Sequence, residues 1–298
     1  MAYLPKCADQ ERQPRIASRE SSPVHARWCV TYWRNVLVAV VLLSFAAAAR
    51  LSIGPRTVDD AFITLRYARN LASGVGLVYN PGDRVLGTTT PLFAILLAAV
   101  ASLPLSLQWA ATVFGTLADA GVALLVYQAA TTIKPDVRLG ILASLMWVFS
   151  SGSIHYTTGG MEAGLLCAFV CASAVLLSHK RHVAAIICAA LACLVRPEGV
   201  IALAFVFALC TAERHRVPWE LAGLAFLVLL PWVVFATVYY GSPIPSSILA
   251  KSSTYRFPAL TAAKSMLGHL VPYVLPMGGA RLSRTLKYGA LLVMLGST

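Results

Sequence analysis

Two adjacent carboxylates, Asp59 and Asp60, stand near the start of the longest polar passage in the chain, residues 57–85. A carboxylate at a boundary between water and lipid can accept a proton from a hydroxyl group, and a neighbouring acid raises its basicity by like-charge repulsion. Arg66 and Arg69 follow in the same passage, and a guanidinium group can bind two phosphate oxygens at once. The passage therefore holds the residue types needed for base catalysis on a substrate that carries phosphate.

A purely structural role for these residues is the alternative. Asp59 and Asp60 would lie at the N-cap or in the first turn of a helix, where negative charge is favourable. An apolar stripe that includes Phe62 and Leu65 would then lay this amphipathic helix on the membrane surface. An Asn-Pro-Gly turn that begins at Asn80 would bring the chain back over the helix. A long loop with defined turns more often forms a site than a tether, which favours the functional interpretation.

These side chains must be positioned by membrane helices, because the chain is far more apolar than a soluble domain. Of its 298 residues, 58% are hydrophobic and 12% are charged, and the charged fraction is about half of that usual in soluble domains. Apolar blocks with short basic or Gly/Pro-rich breaks predict an all-α, polytopic transmembrane helical bundle. The blocks cover residues 36–53, 91–106, 109–132, 139–154, 163–178, 182–195, 199–212, 219–240, 263–280 and 288–298.

The positions of the basic loops predict which blocks cross the membrane. If every block crossed it with the N-terminus inside, the loops 134–138, 178–182 and 213–216 would all lie outside, against the positive-inside rule. If the block 91–106 instead lies in the outer interface, all three loops move to the cytoplasm. An apolar stretch of about 14 residues, opened and interrupted by proline, suits that location better than a span.

This arrangement predicts a multi-pass cell-membrane protein with a cytoplasmic N-terminus. Residues 1–34 are expected to form a disordered basic cytoplasmic tail, and residues 35–298 the transmembrane domain. The first loop, at about 54–108, would be extracytoplasmic and carry interfacial helices. Because the last block is shorter than a span, a truncated C-terminus is expected. Four polar passages then share the extracytoplasmic face: the loop 54–108, the turns SSGSIHYTTGGMEA and VRPEG, and the stretch YYGSPIPSSILAKSS.

The second of these passages supplies three further candidates. Glu162 begins a span, where a carboxylate compensates the helix dipole, or it is a second acid that faces Asp59 across a cavity. His155 and Tyr156 can form hydrogen bonds with a substrate, or they are structural. Asp119, inside the span 109–132, must face the bundle and be paired or protonated, which favours a helix–helix hydrogen bond.

The last two passages supply candidate ligands for a phosphate group. Arg196 and Glu198 form a tight turn between two blocks, and they are either an interfacial ion pair or part of a substrate site. Lys251 is a phosphate ligand or an interface anchor. The chain has no Walker loop, Rossmann glycine pattern, HExxH motif or nucleophile elbow, and nothing in it supports a nucleic-acid partner.

Four motifs in order, DDAFITLRYARNLASGVGLVYNPGDRV, TGGMEAGLL, LVRPEGV and YYGSPIPSSILAK, resemble those of the GT-C membrane glycosyltransferases. The resemblance covers about residues 36–255 and is closest to polyprenyl-phosphate-sugar-dependent members of the mycobacterial arabinofuranosyltransferase type. It implies that Asp59 is the catalytic base and Asp60 the second acid of the motif. Ser246 and Ser247 stand where relatives usually have an Asn-Thr pair, a departure that could change donor contacts.

The resemblance implies an inverting transfer of sugar from a polyprenyl-phosphate donor to a glycan or another hydroxyl acceptor at the extracytoplasmic face. Catalytic roles are expected for Asp59, Asp60 and Glu162. Substrate contacts are expected from Arg66, Arg69, Asn80, His155, Tyr156, Arg196, Glu198 and Lys251. No cofactor is expected, and the use of a divalent cation is left open. The alternatives are a lipid-linked sugar flippase or transporter without chemistry, and an inactive truncated scaffold.

Overall fold

The computed structural model describes residues 23–248 and residue 250, with side chains from residue 33 onward. All regular secondary structure in that part of the chain is α-helical, as expected from the hydropathy pattern. The helices are α1 Pro23–Leu51, α2 Asp59–Ala72, α3 Pro91–Ala99, α4 Leu107–Ile133, α5 Val137–Val148, α6 Ser151–Thr158, α7 Ala163–Ser178, α8 His182–Val195, α9 Gly199–Arg214 and α10 Trp219–Tyr240.

Several helices are long and apolar enough to cross a bilayer, which confirms the predicted all-α membrane fold. They are α1 from Trp33 onward, α4 and α10, and α5 with α6 counts as a further span if the pair is taken together. The block predicted at 139–154 is not one straight helix, because α5 and α6 meet at a bend of 48°. The bend coincides with Ser150, Ser151 and Gly152, which are weak helix formers.

The block 91–106 does not form a spanning helix. Its helical part, α3, has 9 residues, begins with proline and ends at Ala99. A helix of that length extends about 14 Å, roughly half the hydrocarbon thickness of a bilayer. The chain between α1 and α4 therefore forms one long loop that carries two short helices, α2 and α3, as the sequence predicted.

The chain divides into two compact units, residues 1–40 and residues 41–298. The described part of the first unit is the beginning of α1. This helix begins at Pro23, inside the segment 1–34 for which disorder was expected. Proline is favoured at the first helical position because its ring already has the helical φ angle. The second unit contains the end of α1 and the other described helices.

Within the second unit, α4 and α8 are the helices around which the others pack. α4 lies against α5, α6 and α7, whereas α8 lies against α7, α9 and α10. The buried side of α8 consists mainly of alanines with Ile186 and Val195, all fully removed from solvent. Small side chains allow membrane helices to approach closely, so van der Waals contact stabilises the bundle.

The helices α7 to α10 alternate in direction, so their connections separate into two groups. A bond between Arg196 and Glu162 joins the end of α8 to the beginning of α7, and a bond between Lys180 and Glu213 joins the beginning of α8 to the end of α9. The first group adjoins the long loop, because Tyr240 at the end of α10 donates to the carbonyl of Leu77. The described parts of the four polar passages singled out in the sequence therefore gather at one end.

Candidate active site

Asp59 and Asp60 form the first turn of α2 and are solvent-exposed. Neither carboxylate caps the helix, and neither has an ion-pair or hydrogen-bond partner among the described residues. Helical periodicity places Asp59 on the exposed face that carries Arg66, two turns and about 10 Å further along, whereas Asp60 is rotated by about 100° toward the side of Tyr67. Asp59 is thus the carboxylate that shares a face with a cation.

The structure brings Arg66 and Asn80 together, but it uses Arg66 to hold the loop. The guanidinium donates to the carbonyl oxygen of Tyr79 at 2.8 Å and to the amide oxygen of Asn80 at 3.2 Å, and it lies 4.4 Å above the Tyr79 ring. Asn70 donates to the carbonyls of Val78 and Tyr79 from one turn away. These contacts fold the Asn-Pro-Gly turn back over α2, as the sequence predicted.

Two further anchors fix the loop. The hydroxyl of Tyr67, which is fully buried, donates to the carbonyl of Val85 at 2.6 Å and accepts the amide hydrogen of Gly87. This burial raises the pKa of the Tyr67 phenol, so the hydroxyl stays protonated and remains a donor. Ser246 binds the carbonyl of Leu86 through its amide and its hydroxyl. The position at which the sequence departs from the usual pattern therefore contacts the loop directly.

Glu162, Arg196 and Glu198 form a connected cluster. Arg196 donates to Glu162 through one nitrogen and to both carboxylate oxygens of Glu198 through the other two, at 3.1 and 2.9 Å. The Glu162 side chain is 3% exposed, against 56% for Glu198. Hydrogen bonds to Glu198 are the main reason that the pKa of the Arg196 guanidinium is raised. A phosphate group would have to displace Glu198 to reach Arg196.

The turn that leads to Glu162 lies against the turn that leads to Asp59. The amide of Val58 donates to the carbonyl of Gly159 at 3.1 Å. Gly160 has a positive φ of 75°, and a methyl group placed on it would lie 3.6 Å from the Cβ of Ala61. Glycine is favoured there by its backbone conformation, and the first turn of α2 lies within van der Waals distance of it. The cluster around Glu162 and the acids of α2 therefore adjoin.

The remaining candidates have different positions. His155 and Tyr156 lie on helix α6 rather than in a turn, both exposed, with ring centroids 5.7 Å apart. Arg69 lines a separate cavity of about 320 Å³ between α2 and the α3–α4 connection, away from Asp59. Lys251 lies outside the described residues. No three His, Cys, Asp or Glu side chains converge as a metal site in residues 23–248 and 250.

Sequence reasoning missed the partner of Asp119. Arg50, near the end of α1, is completely buried and donates to Oδ2 of Asp119 at 2.8 Å. A charged residue at the centre of a membrane helix costs about 2.5–3.5 kcal/mol on insertion scales, so each of these two groups is expected to require the other. The detectable signal was an arginine inside the apolar block 36–53. The prediction that Asp119 is paired was correct.

A second cation that sequence reasoning missed is Arg56. It stands in the segment between α1 and Asp59, and its side chain is exposed with no hydrogen bond or ion pair among the described residues. Arg66 and Arg196, by contrast, are both engaged. The signal was again in the sequence, because Arg56 lies only one residue outside the polar passage 57–85.

An open apolar groove of about 440 Å³ borders the long loop. Its walls come from α2, α3, α8 and α10 and from the segment after α2, and they include Leu71, Leu77, Ile95, Leu194 and Trp232. Leu194 stands two positions before Arg196, so the groove lies near the end of α8 that carries this cluster. Its lining is almost entirely hydrocarbon, which suits a lipid chain better than a sugar.

Comparison with known proteins identifies two similar enzymes. The chain is 29% identical over 248 residues to the terminal beta-(1->2)-arabinofuranosyltransferase of Mycobacterium tuberculosis, a match that covers 75% of the chain. It is 29% identical over 276 residues, or 81% of the chain, to the protein of the same name from Corynebacterium glutamicum. In each case the match spans 39% of the relative's length.

No protein-family profile matches the chain, and no solved structure is significantly similar to it. The two relatives are nevertheless the type of enzyme that the loop motifs indicated. Over most of its own length, the chain is similar to arabinofuranosyltransferases, which confirms the resemblance predicted from its sequence.

Proposed function

We propose that the chain transfers a sugar, arabinofuranose by analogy with its relatives, from a polyprenyl-phosphate donor to a hydroxyl of a glycan. The proposal rests mainly on Asp59. Its carboxylate is exposed in the first turn of α2 and has no partner among the described residues, and it stands in the motif by which the chain resembles glycosyltransferases. A base that must receive a proton from an incoming substrate needs this accessibility.

The reaction follows as a single displacement. Asp59 takes the proton of the acceptor hydroxyl as the hydroxyl oxygen forms a bond to the anomeric carbon. The bond between that carbon and the phosphate oxygen breaks, and the polyprenyl phosphate leaves with the electron pair. Attack opposite to the leaving group inverts the anomeric configuration. No nucleotide is consumed, because the donor already carries an activated phosphate.

The donor would lie with its apolar tail in the groove beside Leu71 and Leu77. Its phosphate would face cationic side chains, which stabilise the negative charge that develops on the leaving group. Arg56 fits this role better than Arg196, since no described residue engages its guanidinium and it stands three positions before the proposed base. Arg196 remains a candidate if the donor displaces Glu198, and Glu162 would then orient the acceptor or the sugar.

The proposed location is the cell membrane, with the site on the extracytoplasmic side. The end of the bundle opposite to the long loop carries the basic residues Lys134, Arg138, Lys180, Arg181, Arg214 and Arg216. Basic loops remain in the cytoplasm during insertion, so the loop end would face outward.

The proposal is tested by paired substitutions of the two neighbouring acids. Membranes that contain radiolabelled polyprenyl-phosphate arabinose are assayed with Asp59→Asn and with Asp60→Asn. Loss of a general base costs about 10²–10⁴ in rate, so Asp59→Asn should reduce transfer at least a hundredfold. Asp60→Asn should reduce transfer less than Asp59→Asn, because it removes the neighbouring charge that raises the basicity of Asp59 but leaves the base itself in place. Unchanged transfer in Asp59→Asn would refute the base assignment.

A further inference from the structure

The carboxylate of Asp119 contacts three of the elements that lead to the proposed site. Its Oδ2 atom accepts hydrogen bonds from Arg50 at the end of α1, at 2.8 Å, and from Ser153 and Thr157 of α6, the former at 2.7 Å. Its Oδ1 atom has no hydrogen-bond partner in the described part of the chain and lies beside Gly164 in the first turn of α7, where an added Cβ would approach it to 3.0 Å.

Arg50 connects the same elements from the other side. Besides Asp119, its guanidinium donates to Ser153 Oγ at 2.7 Å and to the carbonyl of Val148 at 3.1 Å. It also donates to the carbonyl of Ala46 in its own helix. Val148 ends α5 and Ser153 belongs to α6, so the guanidinium spans the bend between these two helices. The bend is therefore held by a charged group rather than by apolar contact alone.

Backbone hydrogen bonds connect the surroundings of the ion pair to the segment that precedes Asp59. The carbonyl of Arg50 accepts the amide of Gly54 at 3.1 Å, where the chain leaves α1. Arg56 and Val58 then donate to the carbonyls of Thr158 and Gly159, at 2.7 and 3.1 Å. These two acceptors directly follow Thr157, which Asp119 binds. The segment that ends at Asp59 is thus bonded to Arg50 at its beginning. Further along, it is bonded to Thr158 and Gly159, which directly follow the residue that donates to Asp119.

We infer that Arg50 and Asp119 are a positioning pair, which sets the backbone between α1 and α2 and thereby the direction of the Asp59 carboxylate. The inference rests on the proposed function, because that proposal gives Asp59 its catalytic role. The hydrogen-bonded connection from Arg50 and Asp119 to the segment before Asp59 does not depend on it. The pair touches no proposed substrate contact itself. It acts through α6 and through the segment 54–58, and its geometry is insulated from solvent because both side chains are buried.

A double apolar substitution separates this role from simple stabilisation. A single replacement leaves one buried charge without its partner and is expected to unfold the protein, whereas Arg50→Met with Asp119→Leu removes both charges, a change that is often neutral for stability. In the double variant, Ser153 and Thr157 can bond to carbonyls of their own helix, so α6 folds but is no longer tied to α1. Arg50→Lys is the conservative variant that keeps the charge.

Two measurements are made on the full chain in membranes or nanodiscs. The first is kcat and the donor KM for sugar transfer, and the second is amide hydrogen exchange of peptides that contain Arg56 and Val58. The double variant should lose about a hundredfold in kcat, as misplaced catalytic groups do. Its donor KM should also rise, because Arg56 belongs to the segment that the pair holds. Its exchange at these amides should be faster by about tenfold or more. Arg50→Lys should restore part of both.

The matched control is Ser144→Ala, which removes a buried hydrogen bond from α5 to the carbonyl of Ala123 in α4, away from the site. It should change neither kcat nor exchange at Arg56 and Val58. A folded double variant with normal kcat, or with normal exchange at both amides, would overturn the positioning role. A wrong base assignment would give a different result. Asp59→Asn would then remain active, while amide exchange at Arg56 and Val58 in the double variant would still be faster.

Discussion

Arg196 and Glu162 stand 34 positions apart in the sequence and form an ion pair in which the carboxylate is 3% exposed. The arginine is more accessible, and its other edge binds the exposed Glu198. The guanidinium thus has one buried and one exposed carboxylate partner. The two ion pairs should differ in their contribution to stability. Breaking the pair with the buried carboxylate leaves a buried charge without a partner, whereas breaking the pair with the exposed carboxylate leaves a charge in water.

Replacement of Arg196 by Ala is expected to destabilise the protein by about 1–3 kcal/mol, since Glu162 would keep a buried charge with no donor. Glu198→Gln is the matched control and should cost less than about 1 kcal/mol, as exposed ion pairs do. Thermal unfolding of the detergent-solubilised protein measures both. Equal losses in the two variants would show that Glu162 does not depend on Arg196.

Gly199, the last residue of the RPEG motif, is expected to tolerate no side chain. A Cβ on it would lie 2.3–2.5 Å from backbone atoms of Ala192 and Cys193, and backbone cannot move aside as a flexible side chain can. Gly199→Ala should therefore lower the unfolding temperature markedly. Gly223→Ala is the control in helix α10. No atom of the described residues lies within 4 Å of the new Cβ, so the change should be neutral or slightly stabilising. A neutral Gly199→Ala would contradict the packing described at this turn.

Arg66 and Arg69 carry the same charge on the same helix, but only Arg66 binds the loop. Arg66→Ala should release the turn at Tyr79 and Asn80, because two hydrogen bonds from a charged donor together contribute about 2 kcal/mol or more. Trypsin should then cleave after Arg84 at least tenfold faster, whereas Arg69→Ala should leave cleavage unchanged. Faster cleavage in both variants would indicate a charge effect rather than these bonds.

The orientation of the bundle can be tested with single cysteines at its two ends. In a background without the seven native cysteines, Ser73→Cys marks the long loop and His215→Cys marks the α9–α10 connection, and both positions are exposed. An impermeant maleimide added to intact cells should label the first position, and the second only after the membrane is opened. The reverse pattern would place the proposed site in the cytoplasm.

The sequence alone determined the class of the fold and the end of the bundle where the polar passages meet. Hydropathy is a local property, so a spanning block, or a block too short to span such as 91–106, is readable without knowledge of its neighbours. The order of basic and polar loops then indicates which loops share a side. The prediction that Asp119 is paired followed from the same reasoning, because an isolated charge in hydrocarbon is too costly to persist.

Only the tertiary structure decided which partner each charged group has. Arg50 reaches Asp119 across 69 positions, and Arg66 turns toward its own loop rather than toward a substrate. Such pairings depend on the register of packed helices, which sequence spacing within one helix does not reveal. The bend within the block 139–154 coincides with weak helix formers, but the residue that holds it, Arg50, comes from another part of the chain.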